Sequence, residues 1–150
     1  MCTNRKWNMS NAQQTLAILK PHIVKNPFSL NQVKNIILKS NFEIVCLKRK
    51  IISIEEAESF YSEHKGQFFY NRLVSFMTSG PSELMVLARE NAIQEWRLLM
   101  GPTKVFRAQF ENPCSLRGQF GLSDTRNATH GSDSPESAVK EIQLFFPEFS

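Results

Sequence analysis

Of the three histidines, His22, His64 and His130, only His130 is set among small and polar residues, with Arg126, Asn127, Ala128 and Thr129 before it and Gly131, Ser132, Asp133 and Ser134 after it. An imidazole in that setting can act as a nucleophile or a general base if one ring nitrogen is free and the other is fixed by an acceptor. Glu141 is a candidate acceptor. It falls three residues after Ala138 and four before Phe145, hence on the largely apolar side of the segment that follows, where a carboxylate needs a partner. Such a histidine, taken alone, is more often a surface or capping residue than a catalytic one. The three histidines are far apart and lack metal-ligand spacing, so no zinc site is indicated. Neither a Walker loop nor a dinucleotide fingerprint occurs, so the familiar phosphate cradles are absent.

Several elements must position these groups. Residues 15–19 form a short apolar run that stops at Lys20-Pro21, which predicts a buried strand with Lys20 at its end. Leu30, Val33, Ile36 and Ile37 have helical spacing, with Asn41 as terminator. Residues 42–52 read as a second strand. Ser53 and Glu56 have the spacing of a capping box, so a helix is expected over about 54–64 with Tyr61 in its last turns. Leu73, Phe76 and Met77 mark a further helix, 84–88 a strand, and 92–100 a helix stopped by Gly101-Pro102. From 102 to 117 the pattern dissolves. A loop of that length is usually functional, and this one carries Lys104, Arg107 and Arg117, with Arg97 close by. Residues 125–130 can close the sheet, and Ser134, Pro135 and Glu136 form a helix start whose apolar face is Ala138, Ile142 and Phe145. The order β-α-β-α-α-β-α-loop-β-α predicts an α+β sandwich in which helices cover a small sheet.

A chain of 150 residues can bury one sizeable core, and a 41% hydrophobic fraction argues against disorder. No Asp or Glu precedes Glu43, whereas Arg5, Lys6, Lys20, Lys25, Lys34 and Lys39 do, so the front is basic: either a solvated face or an attraction for a polyanion such as a nucleotide. Cys2, Cys46 and Cys114 cannot all pair within one chain and show no C-x-x-C spacing, which predicts an intracellular protein. No apolar run approaches the ~18 residues of a membrane span, so no membrane association is expected.

Residues 127–134 read N-x-x-H-G-S-D-S and strongly resemble the active-site motif of nucleoside diphosphate kinases. The resemblance extends through Ala17-Ile18-Leu19-Lys20-Pro21, Phe68-Phe69, Ser79-Gly80-Pro81, Arg97-x-x-x-Gly101-x-Thr103, Leu116-Arg117-Gly118 and Phe145-Phe146. It implies a short tail over 1–12 and a kinase domain over 13–150 with a ferredoxin-like fold and a small antiparallel sheet. It also implies ping-pong transfer of the γ-phosphate of ATP, through a phosphohistidine at His130, to a nucleoside diphosphate. Mg²⁺ is the implied cofactor, held mainly by the nucleotide phosphates rather than by protein ligands. In that resemblance Lys20 and Asn127 match ligands of the ribose and the transferring phosphate, with Tyr61 supporting Lys20. Phe68 matches the residue that stacks on the base, Arg97 and Thr103 those at the β-phosphate, and Arg117 the one at the γ-phosphate. Ser132 and Glu141 match the positions that orient the histidine. Fixed arginine forks suit the charge of a transferring phosphoryl group, and one aromatic face accepts any base.

Two positions depart from the family pattern: His22 where an Asp follows Lys-Pro, and Asp124 where an aliphatic residue stands six before the histidine. The second should weaken apolar packing against a base. The stretch between Thr103 and Arg117 is about three residues longer than in hexameric members, and here the chain resembles the divergent sixth type (group II) of animal members. That likeness implies a mitochondrial or cytoplasmic location and activity that is low or depends on a protein partner, and it argues against a compact hexamer. A weakly active nucleotide-binding regulatory or scaffold subunit is the alternative function. A nucleic-acid module using the G-x-x-G of 118–121 is disfavoured, because the surrounding blocks already have a kinase reading.

Overall fold

A computed structural model describes residues 12–149. Met1 and the residues through 11, among them Cys2, Arg5 and Lys6 and nearly all of the expected tail, lie outside the described residues, as does Ser150. The strands are β1 (Ala12–Leu19), β2 (Glu43–Lys50), β3 (Ser82–Glu90) and β4 (Thr129–Gly131). They form one antiparallel sheet in the order β2-β3-β1-β4. The helices are α1 (Pro21–Val24), α2 (Pro27–Lys39), α3 (Ile54–Phe60), α4 (Tyr70–Met77), α5 (Ala92–Met100), α6 (Val105–Glu111), α7 (Leu116–Phe120) and α8 (Pro135–Phe145). This is the ferredoxin-like α+β sandwich. No helix of the described residues is long and apolar enough to cross a membrane.

Alternation along the central strands divides the core. Ala17, Leu19, Met85 and Leu87 face a cluster with Val33 and Ile37 of α2 and Trp96 and Met100 of α5. Leu16, Ile18, Leu84 and Val86 face the opposite cluster, with Ala57, Met77, Ile142 and Phe145. A central strand covered on both faces needs an unbroken apolar run, which is why residues 16–19 and 84–88 carry no polar alternation.

Local signals terminate the helices as their chemistry requires. Ser53 and Glu56 close a reciprocal capping box on α3, and Ser134 caps α8 ahead of Pro135. Asn41, at φ 65°, ends the turn after α2.

The stretch over 102–117 is a correction. It holds α6 and the approach to α7 rather than an unstructured loop. Only Val105 and Ala108 of α6 are buried, while Phe106 and Phe110 are more than 80% exposed, so the apolar residues do not mark the packed face. α3 likewise ends at Phe60, with Tyr61 as its C-cap before a short 3₁₀ turn at Ser62–His64. The last strand is confined to three residues, with His130 at its centre.

Candidate active site

β4 is held on β1, with Ile18 opposite His130 and Leu19 opposite Thr129. Its other support is α5: the Trp96 indole N–H donates to the His130 carbonyl at 3.0 Å. A Cβ at Gly131 would collide with the Trp96 ring and the Met100 methyl, so the glycine of the motif is required by this close packing.

Ahead of the strand, Ala128 adopts φ 79°, and the Thr129 N–H donates to the Asn127 carbonyl at 3.0 Å, a tight γ-turn with positive φ. Such a conformation in a non-glycine residue costs about 1–3 kcal/mol and persists only where neighbours hold it. Here the Lys20 N–H donates to the Ala128 carbonyl at 3.0 Å, which ties the end of β1 to the turn.

The imidazole is fixed from one side. His130 Nε2 lies 3.3 Å from Glu141 Oε1, and the Ser132 hydroxyl donates to the same oxygen at 2.7 Å. Ser132 is itself anchored, because its Oγ accepts the Leu16 N–H at 3.1 Å. A carboxylate acceptor at Nε2 selects the tautomer with its proton there and leaves the lone pair on Nδ1, which has no hydrogen-bond partner among the described residues. The Phe60 ring stands edge-on to the imidazole at 4.6 Å.

Four further groups are buried nearby. Lys20 is 4% exposed, and its ammonium donates to the Thr125 carbonyl at 3.3 Å. Burial, and then the charge of Arg117, lower its pKa from 10.5 to about 7. Arg117 donates to the carbonyls of Gly101 at 2.9 Å and Thr129 at 3.2 Å. Burial and the Arg97 charge bring its pKa down to about 10, against the pull of Asp133. The Tyr61 hydroxyl is pushed up by burial and by the Glu141 charge. Tyr61 Oη, Arg117 Nε and Asn127 Oδ1 are buried without a hydrogen-bond partner among the described residues. Polar atoms that are desolvated and unpaired are costly unless something satisfies them.

The remaining residues ring this cluster. Arg97 pairs with Asp133, two residues beyond Gly131. Thr103 is exposed, and its carbonyl is 3.5 Å from the Asn127 amide nitrogen. Phe68 is 89% exposed, and its ring meets Phe69 edge-on at 5.4 Å. Among the described residues, no cluster of three or more His, Cys, Asp or Glu side chains could hold a metal.

Sequence reasoning missed Phe60, Trp96 and Asp133 as neighbours of the site. Trp96 shows only helical spacing in the sequence, and its contact exists because β4 crosses α5. Lys104 is exposed, and Arg107 pairs with Glu111 on α6, 2.7 Å away, so neither joins the cluster that the basic count over 102–117 suggested.

The two departures have local partners. His22 lies with Nε2 3.2 Å from the Phe120 carbonyl, which can only accept, so Nε2 donates; its ring is 5.8 Å from Phe76, and burial lowers its pKa. Asp124 accepts the Val105 N–H at 3.2 Å, at the start of α6.

A histidine held at Nε2 by Glu141, with buried Lys20 and Arg117 bonded to the chain just ahead of it, is an arrangement suited to phosphoryl chemistry. The profile of the nucleoside diphosphate kinase family matches residues 13–150, and the chain belongs to that family. It is 55% identical over 138 residues to nucleoside diphosphate kinase 6 of Danio rerio, covering 92% of this chain and 78% of that one. Among solved structures, the nucleoside diphosphate kinase of Aquifex aeolicus superposes with a TM-score of 0.86 at 38% identity, over 90% of this chain and 95% of that one. The enzyme of Halobacterium salinarum, solved in complex with CDP, gives 0.83 at 32% identity over 89% and 87%. The chain is thus a phosphotransferase with nucleoside diphosphate kinase function.

Proposed function

We propose that His130 carries the phosphoryl group between ATP and a nucleoside diphosphate, with Nδ1 as the attacking atom. The observation that carries this reading is the Leu16–Ser132–Glu141–His130 series, which commits Nε2 and leaves Nδ1 available.

In the first half-reaction an N–P bond forms at Nδ1 as the bond from the γ-phosphorus to the bridging oxygen breaks, and the nucleoside diphosphate departs. The ring becomes cationic while it keeps its Nε2 proton, and the Glu141 carboxylate stabilises that charge. In the second half a terminal oxygen of another nucleoside diphosphate displaces the histidine and the lone pair returns to Nδ1. Glu141 and Ser132 are positioning residues. Arg97 and Arg117 supply fixed positive charge to the phosphates, Lys20 adds charge as bound phosphate favours its protonated form, and Asn127, Thr103 and Tyr61 supply hydrogen bonds.

The unpaired buried atoms Tyr61 Oη, Arg117 Nε and Asn127 Oδ1 support a polar ligand in this cleft. Phe68, exposed beside Phe69, is the stacking surface for the base. With no carboxylate cluster among the described residues, the donor set fits Mg²⁺ that is held by phosphate oxygens, with Asp133 the carboxylate nearest the arginines. Bound there, Mg²⁺ would offset part of the phosphates' negative charge.

Incubation with γ-labelled ATP should yield an acid-labile, base-stable phosphohistidine. Label retained in His130→Ala would overturn the assignment. The match to family enzymes over nearly the whole chain favours catalysis over a scaffold role. The setting we infer is an intracellular pool of free nucleotides, cytoplasmic or mitochondrial, which fractionation of tagged protein would test. We also infer that α6, which projects Phe106 and Phe110, disfavours the compact hexamer and leaves a surface for a protein partner. Light scattering giving a stable mass near six times 17.3 kDa would overturn that inference.

A further inference from the structure

The helices α6 and α7 have seven and five residues, too few to hold themselves, since an isolated helix is marginal in water below about 12–15 residues. Their placement depends on what ties them down. So does the placement of Arg117, which α7 carries. Its guanidinium reaches the carbonyls of Gly101 and of Thr129, the residue before His130, so a shift of α7 moves that charge relative to the imidazole.

The ties come from two side chains outside both helices. Lys104, the N-cap of α6, offers no side-chain acceptor to the free N–H groups there; the Asp124 carboxylate takes that place from beyond α7, accepting the Val105 N–H at 3.2 Å. At the other end His22 donates from Nε2 to the carbonyl of Phe120, the last residue of α7, at 3.2 Å. His22 Nδ1 is buried without a partner among the described residues, so the bond to Phe120 is the polar tie that this ring makes there. Between the two anchors the helices hold each other at Gly121. A Cβ on that residue would stand 2.6 Å from the Val105 side chain, and its carbonyl lies 3.5 Å from the Gln109 amide nitrogen. His22 belongs to α1, which begins directly after Lys20, so it joins the element behind one buried cation to the helix that bears the other.

Each bond needs the residue type present. A carboxylate at position 22 would set an acceptor against the Phe120 carbonyl, and an aliphatic side chain at 124 would leave the Val105 N–H unserved. These are the two positions at which the chain departs from the family pattern, by an Asp and by an aliphatic residue. We propose that His22 and Asp124 are positioning residues that together clamp α6 and α7 and hold Arg117 against the transferring phosphoryl group. The proposal rests on the reading of the Lys20 and Arg117 cluster as the phosphate site.

Single-turnover labelling of the full chain by saturating γ-labelled ATP tests it, with ADP affinity measured alongside. His22→Asp should slow labelling by about tenfold, the scale of a slight misplacement of a group that acts on the reacting atoms, while ADP is still bound. His22→Gln brings an amide N–H close to the place of Nε2 and should restore most of the rate. Asp124→Leu should slow labelling likewise, whereas Asp124→Asn keeps an acceptor and should not. In an Arg117→Ala background both slow variants should lose most of their effect, because the residue they position is gone. Native rates in His22→Asp and Asp124→Leu, or slowing that persists undiminished without Arg117, overturn the clamp. If His22→Asp does not fold, the Asp124 variants decide by the same criteria. Labelling of Arg117→Ala at the native rate overturns instead the phosphate reading on which the clamp rests.

Discussion

In one part of the site the polar groups run in an unbroken series from the Leu16 N–H through Ser132 and Glu141 to His130, whereas in the other Lys20 is buried with the Thr125 carbonyl as its partner, and Tyr61, Arg117 and Asn127 are buried with atoms left unpaired. The first half needs nothing from outside to hold its geometry, so the imidazole proposed as nucleophile is oriented before any ligand arrives. The second half stores positive charge and hydrogen-bonding capacity in a desolvated setting, where a polyanion gains most by satisfying it. Orientation belongs to the protein alone, and charge balance to the protein together with its ligand.

The sharpest break in that comparison is His130→Ala, which should abolish labelling by ATP while the cation side still binds ADP; label remaining elsewhere on the chain would show that the wrong half was assigned the chemistry. Arg97→Ala addresses the other half. Loss of a charge-assisted contact to phosphate should weaken ADP binding roughly tenfold to a hundredfold, on the order of 1.5–3 kcal/mol, and unchanged affinity by calorimetry contradicts the placement of Arg97.

Ser132→Ala should show how far the oriented half depends on its anchor. It leaves the buried Leu16 N–H without its acceptor, a cost of about 1–3 kcal/mol in urea denaturation. It should also slow His130 phosphorylation by about tenfold with little change in nucleotide affinity. A variant that lost affinity instead would mean Ser132 touches the ligand.

The smallest effect is a proton. With its pKa lowered from 10.5 to about 7, the Lys20 amine is largely neutral in the free protein above pH 7. A bound polyphosphate favours the charged form, so binding should take up as much as one proton at about pH 8, and affinity should fall as the pH rises through that window. The unfolded chain binds the extra proton between about 7 and 10.5, so this group's contribution to stability rises with pH over the same range. Calorimetry in two buffers of different ionisation enthalpy reads the uptake. A buffer-independent enthalpy at pH 8 would mean that Lys20 is charged in the free protein.

Strand and helix identities were legible because their determinants are local. The capping box of Ser53 and Glu56, the Ser134-Pro135 start and the apolar runs of β1 and β3 act over a few residues, and the structure retains them all. α6 was not legible, because its packed face uses only Val105 and Ala108 while its phenylalanines face outward. The histidine motif was readable as a resemblance, yet nothing in the spacing of Phe60 or Trp96 announced that they flank the ring.

By itself the sequence determined which residue types were available and their local conformations: a histidine among small residues, a carboxylate on the apolar side of the next helix, a lysine at a strand end. Tertiary structure decided what those residues are. Antiparallel pairing sets Ile18 opposite His130 and lets the Leu16 backbone anchor Ser132 from 116 positions away. Burial among β1, α7 and β4 takes the Lys20 ammonium out of water beside Arg117, a change in its charge state that no local pattern encodes, because desolvation depends on everything packed around a group and not on its neighbours along the chain.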